Sequence, residues 1–371
     1  MSAPAPADTA ELVASSLRLI VELQDPSGAY PASPTFSAYR GYSWFRDGAF
    51  IADAASAGGE PASAEAFFDW CARVVVAERG RIEAIVAAAD TDAPVADDRM
   101  LPTRFTLDGA IGDDEWWDFQ LDGYGTWIWA LGDHLARVGG DGARWADAVG
   151  LCVDYLASSW RRPCFDWWEE HVEQVHGSTL GCIAAGLRAA AAMPALDDDR
   201  RALAALTAEL VLAELRAGMV IDGHLTKWVG DPRVDGSLAS LVGPIGLIDG
   251  DDPLAVATLE RIETELTVDG GVHRFLGDTF YGGGQWPLLT CMLGLGWLAA
   301  GRRERAEQLL AWAASTRTAD GLMPEQVDAH LLDPAFRQEW LDRWGPVATP
   351  LLWSHAMLVR LAAALGAEVA R

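Results

Sequence analysis

Two adjacent carboxylates follow two adjacent indoles in the stretch Trp167-Trp168-Glu169-Glu170. Apolar rings beside a carboxyl group remove water from it and raise its pKa, so that a glutamic acid can stay protonated at neutral pH. Flat tryptophan faces are also surfaces on which proteins hold the C–H faces of sugar rings. The pair therefore suggests a general acid next to a sugar-binding carboxylate. The alternative is a solvated pair favoured by the dipole at the start of a helix.

Two earlier groups of residues also combine charge with aromatic rings. Arg46 and Asp47 follow Trp44 at the predicted start of a helix, and this pair could donate to and accept from vicinal sugar hydroxyls. The alternative is that Asp47 caps the helix while Arg46 is solvated. Further along, Trp116 and Asp122 are candidates for the rim of a pocket.

Two later groups lie in predicted loops. Arg274 precedes a run of three glycines that ends at Trp286, and this run lacks the preceding strand and the Lys-Ser/Thr ending of a nucleotide-binding loop. The glycines instead predict a backbone that passes close to a ligand or to Arg274. Glu325 follows Pro324 late in the chain, and an ordinary surface carboxylate is its alternative interpretation.

Composition and missing motifs exclude several other functions. The chain has 54 acidic and 28 basic residues, a net charge of −26, which would repel nucleic acid and anionic membranes but not a neutral sugar. Simple solubility or adaptation to salt would explain the charge equally well. No His-Glu-x-x-His, Cys-x-x-Cys, Gly-x-Ser-x-Gly or Rossmann pattern occurs, so we predict neither a metal nor a cofactor. The oligomeric state is not indicated.

The N-terminus and the cysteines predict a cytoplasmic location. The first residues have no basic region followed by an apolar stretch, and no apolar run approaches about 20 residues, so neither a signal peptide nor a membrane span is predicted. The five cysteines are widely spaced and most fall within apolar helical patterns, which is typical of reduced, buried thiols.

Apolar residues recur with a helical period over most of the chain, and alternating strand patterns are almost absent. The pattern predicts helices at about 9–24, 46–58, 62–82, 119–138, 142–160, 177–194, 197–218, 235–246, 252–268, 286–301, 303–317 and 349–367. Connections after even segments are short, whereas those after odd segments are long and rich in tryptophan and glycine. Long connections at alternate positions would all emerge at one end of a closed ring. We therefore predict an all-α fold, an (α/α)6 barrel of six helical hairpins formed by residues 1–371 as one catalytic domain; an open helical array is the alternative.

In their order along the chain, these motifs resemble those of the glucoamylase-type inverting α-glycoside hydrolases, which include glucoamylases, glucodextranases and some trehalases. The family's Trp-x-Arg-Asp stretch matches Trp44 to Asp47, its Trp-x-x-x-Gln-x-Asp-Gly stretch matches Trp116 to Gly123, and its Asp-x-Trp-Glu-Glu signature matches Asp166 to Glu170. Its arginine followed by a glycine-rich run to tryptophan matches Arg274 to Trp286, and its late Glu-Gln matches Glu325 and Gln326.

The resemblance implies a role for each matched residue. Glu169 would be the general acid and Glu325 the general base of an inverting hydrolysis that releases β-glucose from a non-reducing end. The remaining matched residues would bind the sugar: Trp44, Arg46, Asp47, Trp116, Trp168, Glu170, Arg274 and Trp286. The sequence shows no polymer-binding domain, so we expect a short, neutral glucosaccharide, first an α-1,6-linked one such as isomaltose, then maltose-type oligosaccharides and trehalose. A phosphorolytic enzyme, a non-catalytic sugar-binding protein and a helical scaffold are the rival interpretations.

Overall fold

The computed structural model describes residues 6–89, 91, 93–114, 116 and 119–366, and within this part of the chain it is mostly helical. The predicted residues Trp117 and Asp118 of the second motif lie outside the described residues. The helices are α1 (Pro6–Leu23), α2 (Phe45–Ala57), α3 (Pro61–Ala77), α4 (Arg79–Ala89), α5 (Asp122–Val138), α6 (Ala146–Ser159), α7 (Gly177–Ala191), α8 (Asp198–Gly218), α9 (Pro253–Leu266), α10 (Pro287–Ala299), α11 (Arg303–Ser315), α12 (Arg337–Trp344) and α13 (Leu352–Ala364).

Six segments form a closed inner ring. In order around the ring they are α2, α5, α7, the 3₁₀ helix Gly236–Leu241, α10 and α13, and α13 packs back against α2. The outer layer is formed by α1, α3, α6, α8, α9 and α11, so that the chain alternates between outer and inner helices. The fold is therefore an (α/α)6 barrel, as predicted. That residues 1–371 form a single catalytic domain stays a prediction.

The composition of the helices explains which layer each one occupies. In α10, all residues from Pro287 to Trp297 are buried, and its sequence is apolar on every side, which is typical of a helix enclosed by others. In α8, buried residues such as Ala204, Val211 and Leu215 recur with the helical period, while the exposed side mixes charged residues with leucines such as Leu206. Asp197 caps α8 by accepting a hydrogen bond from the backbone of Arg200.

The inner helices all begin at the same end of the barrel, because each follows a long connection from an outer helix. Short antiparallel strands join these connections: β1 (Tyr42–Trp44) pairs with β2 (Arg104–Thr106), β3 (Val220–Ile221) with β4 (His224–Leu225), and β6 (Gly271–His273) with both β5 (Thr267–Val268) and β7 (Gln285–Trp286). The helix N-termini, which carry partial positive charge, therefore surround one mouth of the barrel.

Three predictions of helix boundaries were wrong. The segment 235–246 forms only a short 3₁₀ helix, since Pro244 has no amide proton to donate and restricts the residue before it. The segment 62–82 is divided into α3 and α4 at Glu78, whose amide bonds to both Val74 and Val75, and the following Gly80 favours helix poorly. Residues 337–344, predicted to belong to a long connection, form α12, which follows a 3₁₀ turn capped by Asp333.

Several features bear on the remaining predictions. All five cysteines are free and buried. Among the helices that the structure describes, none is long and apolar enough to cross a membrane. Within the same described residues, no three histidine, cysteine or acidic side chains are grouped as ligands for a metal ion.

Candidate active site

A cavity of about 640 Å³ opens at the mouth where the inner helices begin. Every residue predicted to catalyse the reaction or to bind the sugar lines it, including Glu169 and Glu325, which are 156 positions apart in the chain. Asp122, predicted for the rim, does not: it is fully buried and lies behind Arg46, to which it binds. The cavity therefore collects side chains from the connections before α2, α5, α7, α10 and α13.

Glu169 lies in a tight turn that Asp166 organises. One carboxylate oxygen of Asp166 accepts hydrogen bonds from the backbone amides of Trp168 and Glu170, both at 2.9 Å. The backbone of Asp166 also bonds to Glu169 and Glu170. Glu169 itself has φ of 62°, a left-handed conformation that a non-glycine residue adopts only when its surroundings impose it. The turn aims the Glu169 side chain into the cavity, where it reaches the indole of Trp44.

Burial dominates the electrostatics of Glu169. It raises the pKa of the carboxyl group to about 7, against the opposing effects of a hydrogen bond from Trp44 and the charge of Arg46. The indole Nε1 of Trp44 donates to Glu169 Oε1 at 2.7 Å. A carboxyl group with this pKa carries a proton for much of the time at neutral pH, as a general acid requires.

The loop that carries Glu325 is attached to two neighbouring segments. The Glu325 amide donates to the carbonyl of Ala348, and Val327 exchanges both backbone hydrogen bonds with Gln285. The amide of Gly284 donates to Gln326 Oε1 at 2.8 Å, and a Cβ atom at Gly284 would collide with that same oxygen. The glycine run therefore approaches the Glu325 loop, whereas it was predicted to approach a ligand or Arg274.

Glu325 is 2% exposed, and its two oxygens have different surroundings. The phenol of Tyr39 donates to Oε1 at 2.9 Å, whereas Oε2 has no hydrogen-bond partner among the described residues. Burial raises the pKa of Glu325 to about 8, while the bond from Tyr39 and the charge of Arg274 oppose the shift. Burial also raises the pKa of Tyr39 well above its ordinary value, so its phenol stays a donor.

Arg46 and Asp47 lie at the first turn of α2 and face the cavity from its floor. Arg46 Nη1 donates to Gln120 Oε1 at 2.5 Å and to Asp122 Oδ2 at 3.0 Å, so two residues of the second motif orient this guanidinium. The Arg46 Nε and Asp47 Oδ2 atoms are 3.5 Å apart. Burial raises the pKa of Asp47 to about 6. Its Oδ2 lacks a hydrogen-bond partner among the described residues and is free to accept one from a sugar hydroxyl.

Arg274 and Glu170 form a second charged group across the cavity. Arg274 Nε donates to Asp278 Oδ2 at 2.8 Å and Nη2 donates to Glu170 Oε1 at 3.3 Å. Because Asp278 holds the guanidinium from behind, its outer edge stays aimed at the cavity. Burial raises the pKa of Glu170, and the charge of Arg274 opposes that shift.

Tryptophan rings form the walls. The Trp168 and Trp286 ring centroids are 5.4 Å apart, and Trp168 Nε1 donates to Asp235 Oδ2 at 2.9 Å. On the other side, Trp44 and Trp116 meet edge to face at 6.2 Å. Trp167 packs in the core against Phe50 and Trp353. The walls thus present flat apolar surfaces, while the charged groups lie at the floor and ends.

Several contributors to the site were not identified from the sequence. Tyr39 was not predicted to bind Glu325, although it lies in one of the long connections that were predicted to emerge at one end of the ring. Helix α12 places Trp340, Arg343 and Trp344 along the outer part of the cavity, and the Arg343 guanidinium stacks 5.4 Å from the Trp340 ring centroid. The signals available were the tryptophans at i and i+4 and the Asp-Pro pair that precedes the helix.

Comparison with known proteins identifies the class of enzyme. Residues 8–328 match the model of the family described as glycosyl hydrolases family 15. The chain belongs to this family and is a glycoside hydrolase. It is 50% identical over 357 residues to the isomaltose glucohydrolase of Kribbella flavida, an alignment that covers 96% of this chain and 93% of that protein.

Two solved structures are similar along nearly the whole chain. A glutamate-to-alanine variant of a glycosidase in complex with glucose has a TM-score of 0.95 and 49% identity, with 97% of this chain and 98% of that chain covered. A bacterial glucoamylase complexed with acarbose has a TM-score of 0.76 and 21% identity, covering 97% of this chain and 56% of that chain. At that identity, the glucoamylase supports the fold alone.

Proposed function

We propose that this enzyme hydrolyses the terminal α-1,6-glucosidic bond of isomaltose or a similarly short saccharide with inversion, with Glu169 as general acid and Glu325 as general base. The observation that carries the proposal is the pairing of two carboxyl groups in one cavity, Glu169 half-buried and Glu325 buried. One of them accepts a hydrogen bond from an indole, and the other has an oxygen free for a water molecule. The 50% identical isomaltose glucohydrolase supports the choice of linkage.

The reaction requires one proton to be given and another to be taken. Glu169 transfers its proton to the glycosidic oxygen as the bond to C1 breaks, and the second sugar leaves as an alcohol. A water molecule attacks C1 from the opposite face and passes a proton to Glu325, so that β-glucose is released. In inverting enzymes the two carboxyl groups are about 6.5–9.5 Å apart, which leaves room for this water. Here they bind different rings, Trp44 and Tyr39, whose centroids are 5.5 Å apart.

The raised pKa of Glu325 fits the role of a base only when water is bound. A base must be ionised, yet burial raises the pKa of this carboxyl group to about 8. The phenol of Tyr39 satisfies one oxygen, and the attacking water would donate a hydrogen bond to the unpartnered Oε2. Because hydrogen bonds to a carboxylate favour its ionised form, the water would stabilise the very group that deprotonates it.

The remaining residues suit the binding of one glucose unit. Arg46 and Asp47 at one end and Glu170 and Arg274 at the other would bond to its hydroxyls. Trp44, Trp116, Trp168 and Trp286 would pack on its apolar faces. Since charged groups occupy the floor behind this unit, the saccharide can extend only toward the mouth, which favours cleavage at a chain end.

Helix α12 supports a short substrate. It lies over the outer part of the cavity and presents Trp340 and Arg343, where the leaving sugar would be placed. The wall formed by this helix leaves less room than an open groove would for further sugar units. Maltose-type oligosaccharides and trehalose remain alternatives for the same machinery. We also propose a cytoplasmic location, on the basis of five free, buried thiols.

Proton NMR of a fresh digest of isomaltose tests the stereochemistry. We expect the anomeric signal of β-glucose to appear first and that of α-glucose to follow only by mutarotation. If α-glucose appears first, the inverting mechanism is wrong. Performing the digest with and without phosphate distinguishes hydrolysis from phosphorolysis, because only phosphorolysis would require phosphate and yield a sugar phosphate.

A panel of glucose disaccharides tests the linkage. Isomaltose, maltose and trehalose are incubated with the enzyme, and released glucose is measured. We expect the highest kcat/KM with isomaltose. A clear preference for maltose or trehalose would replace the proposed substrate, whereas binding of these sugars without any glucose release would indicate a sugar-binding protein.

A further inference from the structure

We propose that Lys227 is a positioning residue for the reaction, one that holds the general acid Glu169 and the sugar-binding Trp168 in place through Asp166 and Asp235. This inference rests on the function proposed above. Lys227 is the only lysine in the chain, whose other strongly basic side chains are all arginines. It is 2% exposed and lies directly beneath the turn that carries Glu169.

A single ammonium group joins two buried carboxylates. Lys227 Nζ lies 2.9 Å from Asp166 Oδ2 and 2.5 Å from Asp235 Oδ2. Both aspartates are 2% exposed. On a further side, the ammonium lies 3.8 Å from the centroid of the Phe275 ring, within the range of a cation–π interaction. The two carboxylates raise the pKa of Lys227 against the opposing effect of burial, which keeps it charged, and Lys227 is not among the residues that line the cavity.

The first branch of this network leads to the general acid. While Asp166 Oδ2 binds Lys227, its other oxygen accepts the amides of Trp168 and Glu170. Glu169 lies between those two amides with φ of 62°. A left-handed conformation costs on the order of 1–3 kcal/mol and persists only when its surroundings impose it. Lys227 therefore fixes the aspartate that imposes the backbone conformation of Glu169.

The second and third branches lead to the residues that would bind sugar. Asp235 Oδ2 accepts the indole of Trp168 at 2.9 Å, and its Oδ1 accepts the amide and hydroxyl of Ser237. Phe275, which packs on the ammonium, directly follows Arg274 in the chain. The carbonyl of Arg274 accepts a hydrogen bond from Gly236 at 2.7 Å. One cation thus supports Glu169, Trp168 and Arg274 from behind.

The geometry explains why a lysine occupies this position. An ammonium group is compact and can direct its three donors at separate acceptors, whereas a guanidinium is planar and larger. Elsewhere the chain uses arginines for buried ion pairs, for example Arg360 with Asp53 at 2.8 Å. The site of Lys227 is enclosed by two carboxylates and an aromatic ring, and it would not accept a guanidinium without movement of the Glu169 turn.

The test compares two substrates in the variant Lys227→Arg. Isomaltose needs a proton from Glu169 because its leaving group is a sugar alcohol, whereas α-glucosyl fluoride needs little protonation because fluoride leaves as a stable anion. A displacement of the acid by about 1 Å costs roughly 10²-fold in rate. We therefore expect kcat on isomaltose to fall about 10²-fold, with a loss on α-glucosyl fluoride that is at least about tenfold smaller. Equal losses on both substrates would overturn the proposal.

A matched control is the variant Arg360→Lys. It also exchanges the cation of a buried carboxylate network, but it does so toward the other end of the barrel, where Asp53 is the acceptor. We expect a lower unfolding temperature in both variants and an unchanged kcat on isomaltose only in Arg360→Lys. If the control loses the same fraction of activity, the effect of Lys227→Arg is a general loss of stability.

A measurement on the unaltered enzyme keeps the proposal testable if Lys227→Arg does not fold. Labelling with lysine that carries ¹³C only at Cε gives a single side-chain resonance because the chain has one lysine. We expect this resonance to shift on titration with glucose. The shift should saturate at the same glucose concentration as the change in tryptophan fluorescence. Fluorescence that saturates while the lysine resonance stays fixed would overturn the role of Lys227. If neither responds and no substrate is cleaved, it is the proposed function that fails.

Discussion

Toward one end of the barrel, Asp53 is fully buried between two arginines, with Arg360 Nε at 2.8 Å from Oδ2 and Arg137 bonded to Oδ1. At the mouth, Glu325 is buried almost as completely and Glu169 is half-buried, and neither has an arginine as a hydrogen-bond partner among the described residues. Each instead accepts one hydrogen bond from an aromatic side chain. The same barrel therefore buries carboxyl groups in two different ways.

The hydrogen-bond partners of these carboxyl groups distinguish a structural carboxylate from a reactive one. At Asp53 the two arginines occupy both carboxylate oxygens, so the group joins neighbouring helices and leaves no oxygen free to react. Burial with one neutral donor raises the pKa, to about 7 for Glu169 and about 8 for Glu325. It also leaves a proton that can be given or an oxygen that can take one. Perturbed carboxyl groups in a cavity are characteristic of catalytic sites.

The largest expected effect is the loss of activity on removing either carboxyl group at the mouth. We expect Glu169→Gln and Glu325→Gln each to lower kcat on isomaltose by at least about 10²-fold, since a positioned acid or base contributes about that much or more. On α-glucosyl fluoride, Glu169→Gln should retain far more activity than Glu325→Gln, because only the base is then needed. Near-normal turnover of isomaltose by either variant would reject its assigned role.

Removing a carboxylate should change the free energy of unfolding in opposite directions at the two ends of the barrel. We expect Asp53→Asn to lower the free energy of unfolding by about 2–3 kcal/mol, because it leaves two arginines without their carboxylate. Because the pKa of Glu325 is raised from 4.5 to about 8, Glu325→Gln should raise the free energy of unfolding at pH 8 by about 4 kcal/mol, and this gain should vanish at pH 4. Urea unfolding at both pH values measures both effects.

The direction of the pKa shift of Glu325 explains why removing its carboxyl group should raise the free energy of unfolding. The pKa is about 8 in the folded chain and 4.5 ordinarily, so the unfolded chain loses this proton first as pH rises. The carboxyl group therefore destabilises the fold increasingly between those two values, whereas glutamine does not. If Glu325→Gln were destabilising at pH 8, this carboxylate would be paired as fully as Asp53, and the contrast between the two ends would disappear.

Much of the fold could be predicted because local sequence patterns determine the helices and the lengths of their connections. The alternation of short and long connections predicted six hairpins, and the closed inner ring confirms them. The wrong predictions also have local causes. Pro244 shortens one inner segment to a 3₁₀ helix, and the Asp333-Pro334 pair starts the α12 region inside a segment that was predicted to be a connection. Helical periodicity alone does not resolve such breaks and starts.

Some residues of the site could be predicted from the sequence and others could not. Residues that lie in compact motifs, such as Trp168 and Glu169, could be identified from spacing. Tyr39 could not be linked to Glu325, because 286 positions separate them in the chain and only ring closure brings them together. Lys227 has neither a motif nor a place in the cavity wall, and its importance becomes visible only through its contacts with Asp166 and Asp235.

The smallest effect concerns the outer rim of the mouth, where the buried region meets solvent. Arg343 is exposed and stacks on Trp340, so we expect Arg343→Ala to raise KM for isomaltose only about three- to tenfold, which corresponds to roughly one cation–π contact. α-Glucosyl fluoride carries no leaving sugar, and its KM should stay constant. Arg161, which stacks 3.9 Å from the centroid of Trp160 away from the cavity, provides the matched control Arg161→Ala. An equal rise in KM for both substrates would mean that α12 shapes the glucose site itself, and the division between an inner glucose site and a leaving-group rim would have to be abandoned.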